Sequence, residues 1–186
     1  MKIICGAGGV MRPGWVSLQQ SDLDIRDRLA WARMFRPESL EAIVVEHVIE
    51  HLAENEARAA VRNFHRYLKR GGYVRCAVPD GYHPSPAYLD WVTPGSVGER
   101  WLQNFRLGDA PHKTLWNYRS LTELFCESGF AVILLEWFDA EGRFHRTEWD
   151  AGDGYIRRCA GCAWAQFLSL IVGAPYTSLI ADCVRI

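Results

Sequence analysis

The amino-acid sequence predicts an α/β protein built on a doubly wound, mostly parallel sheet, and three observations carry that prediction. Short β-branched runs alternate with segments of helical periodicity along the chain. The strongest run, residues 41–46, reads Glu-Ala-Ile-Val-Val-Glu and is apolar throughout its interior, as a strand buried on both faces is. A glycine-rich turn, Gly6-Ala7-Gly8-Gly9, directly follows the first apolar run, where a chain leaving a strand can bring its backbone close to a ligand.

The elements follow in order. Lys2–Cys5 is the first strand, Trp15–Leu18 the second after the Pro13-Gly14 turn, and residues 23–27 a very short third. Residues 41–46 make the fourth. Residues 55–68 form a helix in which Ala59, Ala60, Phe64, Tyr67 and Leu68 recur at helical spacing. Lys69-Arg70-Gly71-Gly72 stops it, with cations in the last turn and a glycine for a left-handed cap. Residues 73–78 are the next strand, broken by Pro79-Asp80-Gly81. Residues 81–116 hold four prolines and read as an irregular insertion, a lid or substrate loop, with a short helix near 97–104. A helix over 120–128 ends at Gly129; strands over 131–138 and 177–186 close the chain, joined by a charged, mobile or hairpin-like connection at 139–160.

Composition narrows the function classes. With 186 residues, 49% hydrophobic and 23% charged, the chain has the make-up of one globular domain spanning 1–186. A formal net charge of −1 gives no overall attraction for nucleic acid, and none is expected as a partner. Met1-Lys-Ile-Ile-Cys runs straight into the glycine turn, so no signal peptide is read. The six cysteines are read mostly as buried, reduced thiols, and the expected location is cytoplasmic. The apolar run at 160–172 is too short to span a bilayer and carries Gln166 and Ser169. It reads first as a core helix, otherwise as an interfacial segment or a homodimer face.

Taken together, three motifs are more specific than any one of them. Cys5-Gly6-Ala7-Gly8-Gly9 precedes Pro13-Gly14-Trp15-Val16-Ser17-Leu18. Leu40-Glu41-Ala42-Ile43-Val44-Val45 leads into Glu46-His47-Val48-Ile49-Glu50-His51-Leu52. Leu68-Lys69-Arg70-Gly71-Gly72 leads through a strand to Val78-Pro79-Asp80. In this order they resemble class I S-adenosylmethionine-dependent methyltransferases, in particular a small bacterial group with an EHVLEHL, PGG and VPD pattern. The match is good over the first 80 residues and loose over the last 70.

The resemblance implies a Rossmann-like sheet with an antiparallel C-terminal strand and S-adenosylmethionine as cofactor. By matching position, Gly6, Ala7, Gly8 and Gly9 would wrap the methionine part of the cofactor. Asp27 and Arg28 would lie near the adenine, and Glu46 and His47 would close the pocket. One position departs from the family pattern: Gln19 stands where an acidic residue usually holds the ribose hydroxyls, so a charge-assisted bidentate contact is lost. The implied activity is methyl transfer to a small-molecule, sugar or peptide acceptor entering between the first and fourth strand ends. Asp80, His83, His112, Trp116 and Tyr118 would form the acceptor's wall, with His112 or His51 as general base.

Two other readings stand beside it. A degenerate methyltransferase fold retained for cofactor binding or assembly accommodates Gln19 and the 160–172 run. His47-x-x-Glu50-His51 also fits an inverted zinc-peptidase pattern, in which two histidines on one helix face hold zinc and Glu50 activates water; no acidic third ligand is evident downstream. Cys159-x-x-Cys162 has no second pair to complete a zinc site and is read as two unrelated thiols.

Overall fold

The computed structural model of the chain describes residues 1–6, 8–104 and 110–186. Its centre is a seven-stranded sheet of β1 (Lys2–Cys5), β2 (Trp15–Leu18), β3 (Leu40–Glu46), β4 (Leu68–Pro79), β5 (Phe130–Phe138), β6 (Phe144–Arg146) and β7 (Ser178–Arg185), in the order β2-β1-β3-β4-β7-β5-β6. β2, β1, β3 and β4 are parallel, in a register that sets Cys5 opposite both Leu18 and Val45. β7 inserts antiparallel between β4 and β5, and β6 folds back on β5. The fold is the expected Rossmann-like one with an antiparallel C-terminal strand.

Side chains alternate across the sheet as strand geometry requires. Ile3, Cys5, Ile43, Val45, Val74, Cys76, Leu179 and Ala181 face one side. There they meet α1 (Arg28–Met34) through Trp31, α2 (Glu54–Tyr67) through Ala57, Ala60, Val61 and Phe64, and α5 (Tyr118–Cys126) through Leu121, Leu124 and Phe125. Trp31 is fully buried and stacks on Tyr67 with ring centroids 5.2 Å apart.

Ile4, Val44, Ala77 and Ile180 face the other side, where they pack on Ile156 and Cys159, with Trp149 and Cys162 against them. Irregular chain covers this half of the second face, and Arg75 ties it down. The guanidinium is 2% exposed, binds both oxygens of Asp182 at 2.8 and 2.7 Å, and donates to the carbonyls of Asp150 and Gly154 at 2.7 and 2.9 Å. α3 (Pro86–Val92) and α6 (Ala163–Val172) meet in a separate small core through Tyr88, Val92 and Val172.

Several elements differ from the sequence reading. Residues 23–27 form no strand. The Ile25 carbonyl accepts from the side chains of Trp31 (3.0 Å) and Asn63 (2.9 Å), and Asp24 bonds the backbone and guanidinium of Arg26, so these polar groups are spent locally and not on a ladder. The strand read as the fourth is therefore the third. α2 ends without a glycine cap: Leu68 is already extended at φ −70°, ψ 145°, and the chain passes straight into β4. Gly71, at φ +73°, instead lies in the irregularity that shifts the β3–β4 register between Leu40 and Ala42.

The 81–116 insertion contains the expected α4 (Val97–Asn104) and also α3, whose N-cap Ser85 and first-turn Pro86 are a legible start signal. Residues 139–160 include the β5–β6 hairpin. Cys159 and Cys162 are not independent thiols: their sulfurs are paired, with the Cα atoms 5.4 Å apart across a turn closed by Cys162 N–H to the Cys159 carbonyl. α6 is not a buried core helix, since Trp164, Phe167 and Ile171 are exposed and Leu170 is 84% exposed. No helix among the described residues is long and apolar enough to cross a membrane.

Candidate functional site

The C-terminal ends of β1 and β3 lie side by side, and the chain leaving each strand turns sharply. After β1, Gly6 adopts φ +65°, and a β-carbon there would collide with Cγ2 of Val48. Only glycine satisfies both the torsion and the space. After β3, His47 also takes a left-handed conformation, φ 54°, unusual for a residue with a side chain. Its N–H continues the sheet by donating to the Ala77 carbonyl at 2.9 Å. A short 3-10 turn, Ile49–His51, follows.

Between these turns lies a cavity of about 380 Å³, a size suited to a small ligand. Gly6 and Gly8 form one wall, and His47, Val48, His51 and Leu52 another. Gln19, Gln20 and residues 23–26 close the β2 side, and Ala110, Pro111 and Lys113 close the top. The glycine turn and the imidazole after β3 thus share one crevice at the carboxyl ends of adjacent parallel strands, where open α/β sheets bind ligands.

The His47 ring has a neighbour at both nitrogens: Nε2 lies 2.8 Å from Ser178 Oγ and Nδ1 lies 3.0 Å from Glu50 Oε1. Burial, followed by the repulsion of Arg158, keeps its pKa well below the ordinary value, so His47 is neutral. The neutral ring's hydrogen bond is the one between Nε2 and Ser178 Oγ; the contact of Nδ1 with Glu50 is one of proximity.

On the open side, ion pairs run from Asp24 to Arg26 (2.7 Å), Arg26 to Glu56 (2.5 Å) and Glu56 to Lys113 (2.9 Å). Each pair is partly exposed and individually weak. Together they join the 23–27 loop, the start of α2 and the 110–114 segment around the cavity mouth. The Ala53 N–H, then Lys113 and Arg26, hold the Glu56 carboxyl down at about 2.

Of the residues singled out from sequence, Gly6, Gly8, Gln19, His47 and His51 line the cavity. Ala7 lies outside the described residues, and Gly9 is exposed away from the wall. Asp27 caps α1 through the Leu29 N–H at 2.7 Å, and Arg28 begins that helix; neither lines the cavity. Glu46 points to the other face, where one oxygen accepts from the N–H groups of Arg157 and Arg158 at 3.0 and 2.9 Å. His112 stands behind the wall, its ring centroid 4.9 Å from that of His51.

The remaining four residues do not line the cavity. Asp80 is buried, accepts from the N–H groups of Tyr82 and Phe138, and is pushed up to about 6 by desolvation. His83 stacks on Tyr88 at 3.9 Å, and burial lowers its pKa to about 4. Trp116 is in the main core and bridges to Asp80; Tyr118 opens α5 with its ring 5.9 Å from that of Tyr82. Sequence reasoning missed Asp24, Arg26 and Lys113 as cavity residues. The signal for the first two was the Leu23-Asp24-Ile25-Arg26 alternation, with Leu23 and Ile25 buried in the core and the charged pair on the open side.

Comparison with known proteins bears on the family and the fold. A family model described as "Methyltransferase domain" matches residues 11–135, more than half of the chain. No curated protein matches the sequence. Among solved structures, a chain in the complex between the Haloferax volcanii Trm112 methyltransferase activator and a methyltransferase is 13% identical, with a TM-score of 0.53 over 99% of this chain and 81% of that one. An S-adenosylmethionine-dependent methyltransferase from Mesorhizobium loti is 12% identical, with a TM-score of 0.53 over 98% of this chain and 90% of that one. One from Archaeoglobus fulgidus is 10% identical, with a TM-score of 0.50 over 100% of this chain and 85% of that one. At these identities the structures speak for the fold, and the family model speaks for membership: the chain belongs to the methyltransferase-domain family, as a class I, S-adenosylmethionine-dependent member.

Proposed function

We propose that this protein transfers a methyl group from S-adenosylmethionine to a small-molecule, sugar or peptide acceptor, and that the cavity between β1 and β3 holds the cofactor. The observation that carries the reading is the shared crevice: Gly6, where no β-carbon fits, and His47, held at a positive φ, face one cavity from neighbouring parallel strands. When bound, S-adenosylmethionine supplies an electrophilic methyl group on a sulfonium.

The residues present suit that cofactor. Gly6 and Gly8 carry no β-carbon, so a ligand's amino-acid portion can approach the backbone there, while the Gly6 N–H itself donates to the Leu18 carbonyl at 2.9 Å. Gln19, at the end of β2, offers an amide that both donates and accepts towards ribose hydroxyls. Asp24, Ile25 and Arg26 provide an edge of mixed polarity for the base. The acceptor enters on the side of His51, Pro111 and Lys113, and the imidazoles of His51 and His112 are proposed to take the proton that the acceptor loses. The protein's contribution is then positioning and proton handling.

Calorimetry with S-adenosylmethionine and S-adenosylhomocysteine tests the reading. One molecule of either is expected per chain, and Gly6→Val is expected to abolish binding. A His112→Ala variant is expected to bind S-adenosylhomocysteine as the wild type does and to lose turnover. Failure of the wild type to bind either nucleoside refutes the proposal.

A further inference from the structure

Where His51 lines the cavity, against the 110–113 segment, lies a cluster that methyl transfer does not itself require. One oxygen of Glu50, one ring nitrogen of His51 and one of His112 lie within 4.8 Å of one another. A divalent ion bound at about 2.0–2.2 Å from each ligand needs ligand atoms roughly 3–4 Å apart, so small side-chain rotations close this set around an ion. We infer that Glu50, His51 and His112 form a divalent transition-metal site of the zinc type, open towards the cavity, that takes an oxygen atom of the methyl acceptor.

The supporting groups around the three residues are those of a built site. His112 Nδ1 lies 3.0 Å from the Val92 carbonyl and His51 Nδ1 lies 3.3 Å from the Pro111 carbonyl. A carbonyl only accepts, so each Nδ1 carries the proton and each ring's lone pair lies on Nε2. This backbone contact fixes the tautomer and orientation of metal-binding histidines. Glu50 is buried, and its Oε1 lies 3.0 Å from Nδ1 of His47.

The backbone joins the two halves. The Glu50 carbonyl accepts from the N–H groups of Lys113 and Thr114 at 2.8 and 3.1 Å, which sets the residue after His112 against the turn that bears Glu50 and His51. Two imidazoles and a carboxylate suit zinc and its first-row neighbours, not magnesium or calcium. The ligand set is also not the His47-x-x-Glu50-His51 helix pattern: His47 is engaged by Ser178 and Glu50, and its φ of 54° takes it off any helix.

His51 lines the cavity and His112 lies behind it, so three protein ligands leave coordination positions on the cavity side. The inference rests on the methyl-transfer reading and narrows the acceptor to one with a hydroxyl group. The two imidazoles become ligands, and the ion acidifies the hydroxyl in their place. The hydroxyl proton passes to solvent, an oxygen lone pair forms the new O–CH3 bond, and the electron pair of the breaking C–S bond stays on sulfur, leaving a neutral thioether.

The test uses the full chain, stripped with chelator and dialysed against zinc alone, with metal counted by mass spectrometry. One equivalent is expected in the wild type and in a Cys159→Ser, Cys162→Ser double variant. Glu50→Gln and His112→Asn should each weaken zinc binding by at least about tenfold. S-adenosylhomocysteine affinity, measured on the same samples, shows that these variants are folded. With cobalt in place of zinc, adding acetohydroxamate should shift the visible bands. Zinc binding absent in the wild type, unchanged in both ligand variants or lost with the cysteines overturns the site; unchanged cobalt bands overturn its open position. Loss of nucleoside binding with zinc retained in the wild type refutes the methyl-transfer reading alone, and loss of zinc with nucleoside retained refutes the metal site alone.

Discussion

Gly6 can be tested for the two separate reasons that require glycine there. Gly6→Ala forces a β-carbon into the left-handed region, at about 1–2 kcal/mol, and pushes it into Val48 Cγ2, an overpacking that costs about 1–3 kcal/mol. The sum is about 2–5 kcal/mol of folding stability. Val48→Ala removes the colliding methyl and leaves the torsion unchanged. In that background the same Gly6→Ala change should cost only the torsional share, so the two substitutions should couple by about 1–3 kcal/mol, measured by urea denaturation of the four proteins. S-adenosylhomocysteine calorimetry adds the functional readout, because both residues line the cavity: Gly6→Ala should weaken binding at least about tenfold, equivalent to about 1.4 kcal/mol. A cycle that is additive within about 0.5 kcal/mol, together with wild-type nucleoside affinity in Gly6→Ala, would refute both the steric account and the placement of the cofactor.

Three further outcomes are expected. Arg75→Met leaves Asp182 and the Asp150 and Gly154 carbonyls without their shared donor, so urea denaturation should show a loss of about 3–5 kcal/mol, partly restored by Asp182→Asn. His83 is held at about 4 against an ordinary 6.5, so the unfolded chain takes up a proton that the folded one refuses. Its contribution to stability is whole above pH 6.5 and falls by up to about 3 kcal/mol as pH drops to 4. His83→Phe cannot titrate, so its stability relative to wild type should improve by that amount across the window, and a constant difference would reject the assignment. Gln19→Asp restores an anion to the cavity wall at the end of β2, where charge-assisted hydrogen bonds to ribose hydroxyls are roughly twice as strong as neutral ones. S-adenosylhomocysteine should bind several-fold more tightly, and weaker binding would place the ribose elsewhere.

The parts of the fold legible in the sequence are those that local physics decides. β3 is a continuous β-branched run because both of its faces are covered, and α2 is amphipathic because only one of its faces is. The glycine bend was legible because no other residue takes the torsion of Gly6 beside Val48. What failed depends on partners distant in sequence. Glu46 read as a pocket residue, yet its carboxylate is engaged by the backbone of Arg157 and Arg158, over a hundred residues away. The C-x-x-C spacing gave no sign of the turn that pairs Cys159 with Cys162. Asp80, His83, Trp116 and Tyr118 read as an acceptor wall because polar and aromatic residues in a long insertion suggest one, but hydrogen bonds from the Tyr82 and Phe138 N–H groups hold Asp80, and ring stacking on Tyr88 holds His83, outside the cavity lining.

The abbreviated segment between β2 and α1 explains why the cavity has the shape it does. A regular strand over residues 23–27 would have paired its carbonyls along the β2 edge. Instead the Ile25 carbonyl is tied to Trp31 and Asn63. That anchor draws Leu23 and Ile25 into the core and leaves Asp24 and Arg26 on the open side. Arg26 then reaches Glu56 at the start of α2, and Glu56 reaches Lys113. Lys113 is the neighbour of His112, and its N–H binds the Glu50 carbonyl. The loss of one strand is thus coupled, through two ion pairs and one backbone bond, to the position of the histidine that completes the proposed metal site. Breaking the relay at Arg26 should therefore loosen zinc binding without touching a ligand: Arg26→Ala is expected to weaken zinc several-fold, while Arg26→Lys, which retains the cation, loses less. Equal zinc affinity in wild type, Arg26→Ala and Arg26→Lys would show that the 110–114 segment is positioned by its backbone bonds to Glu50 alone.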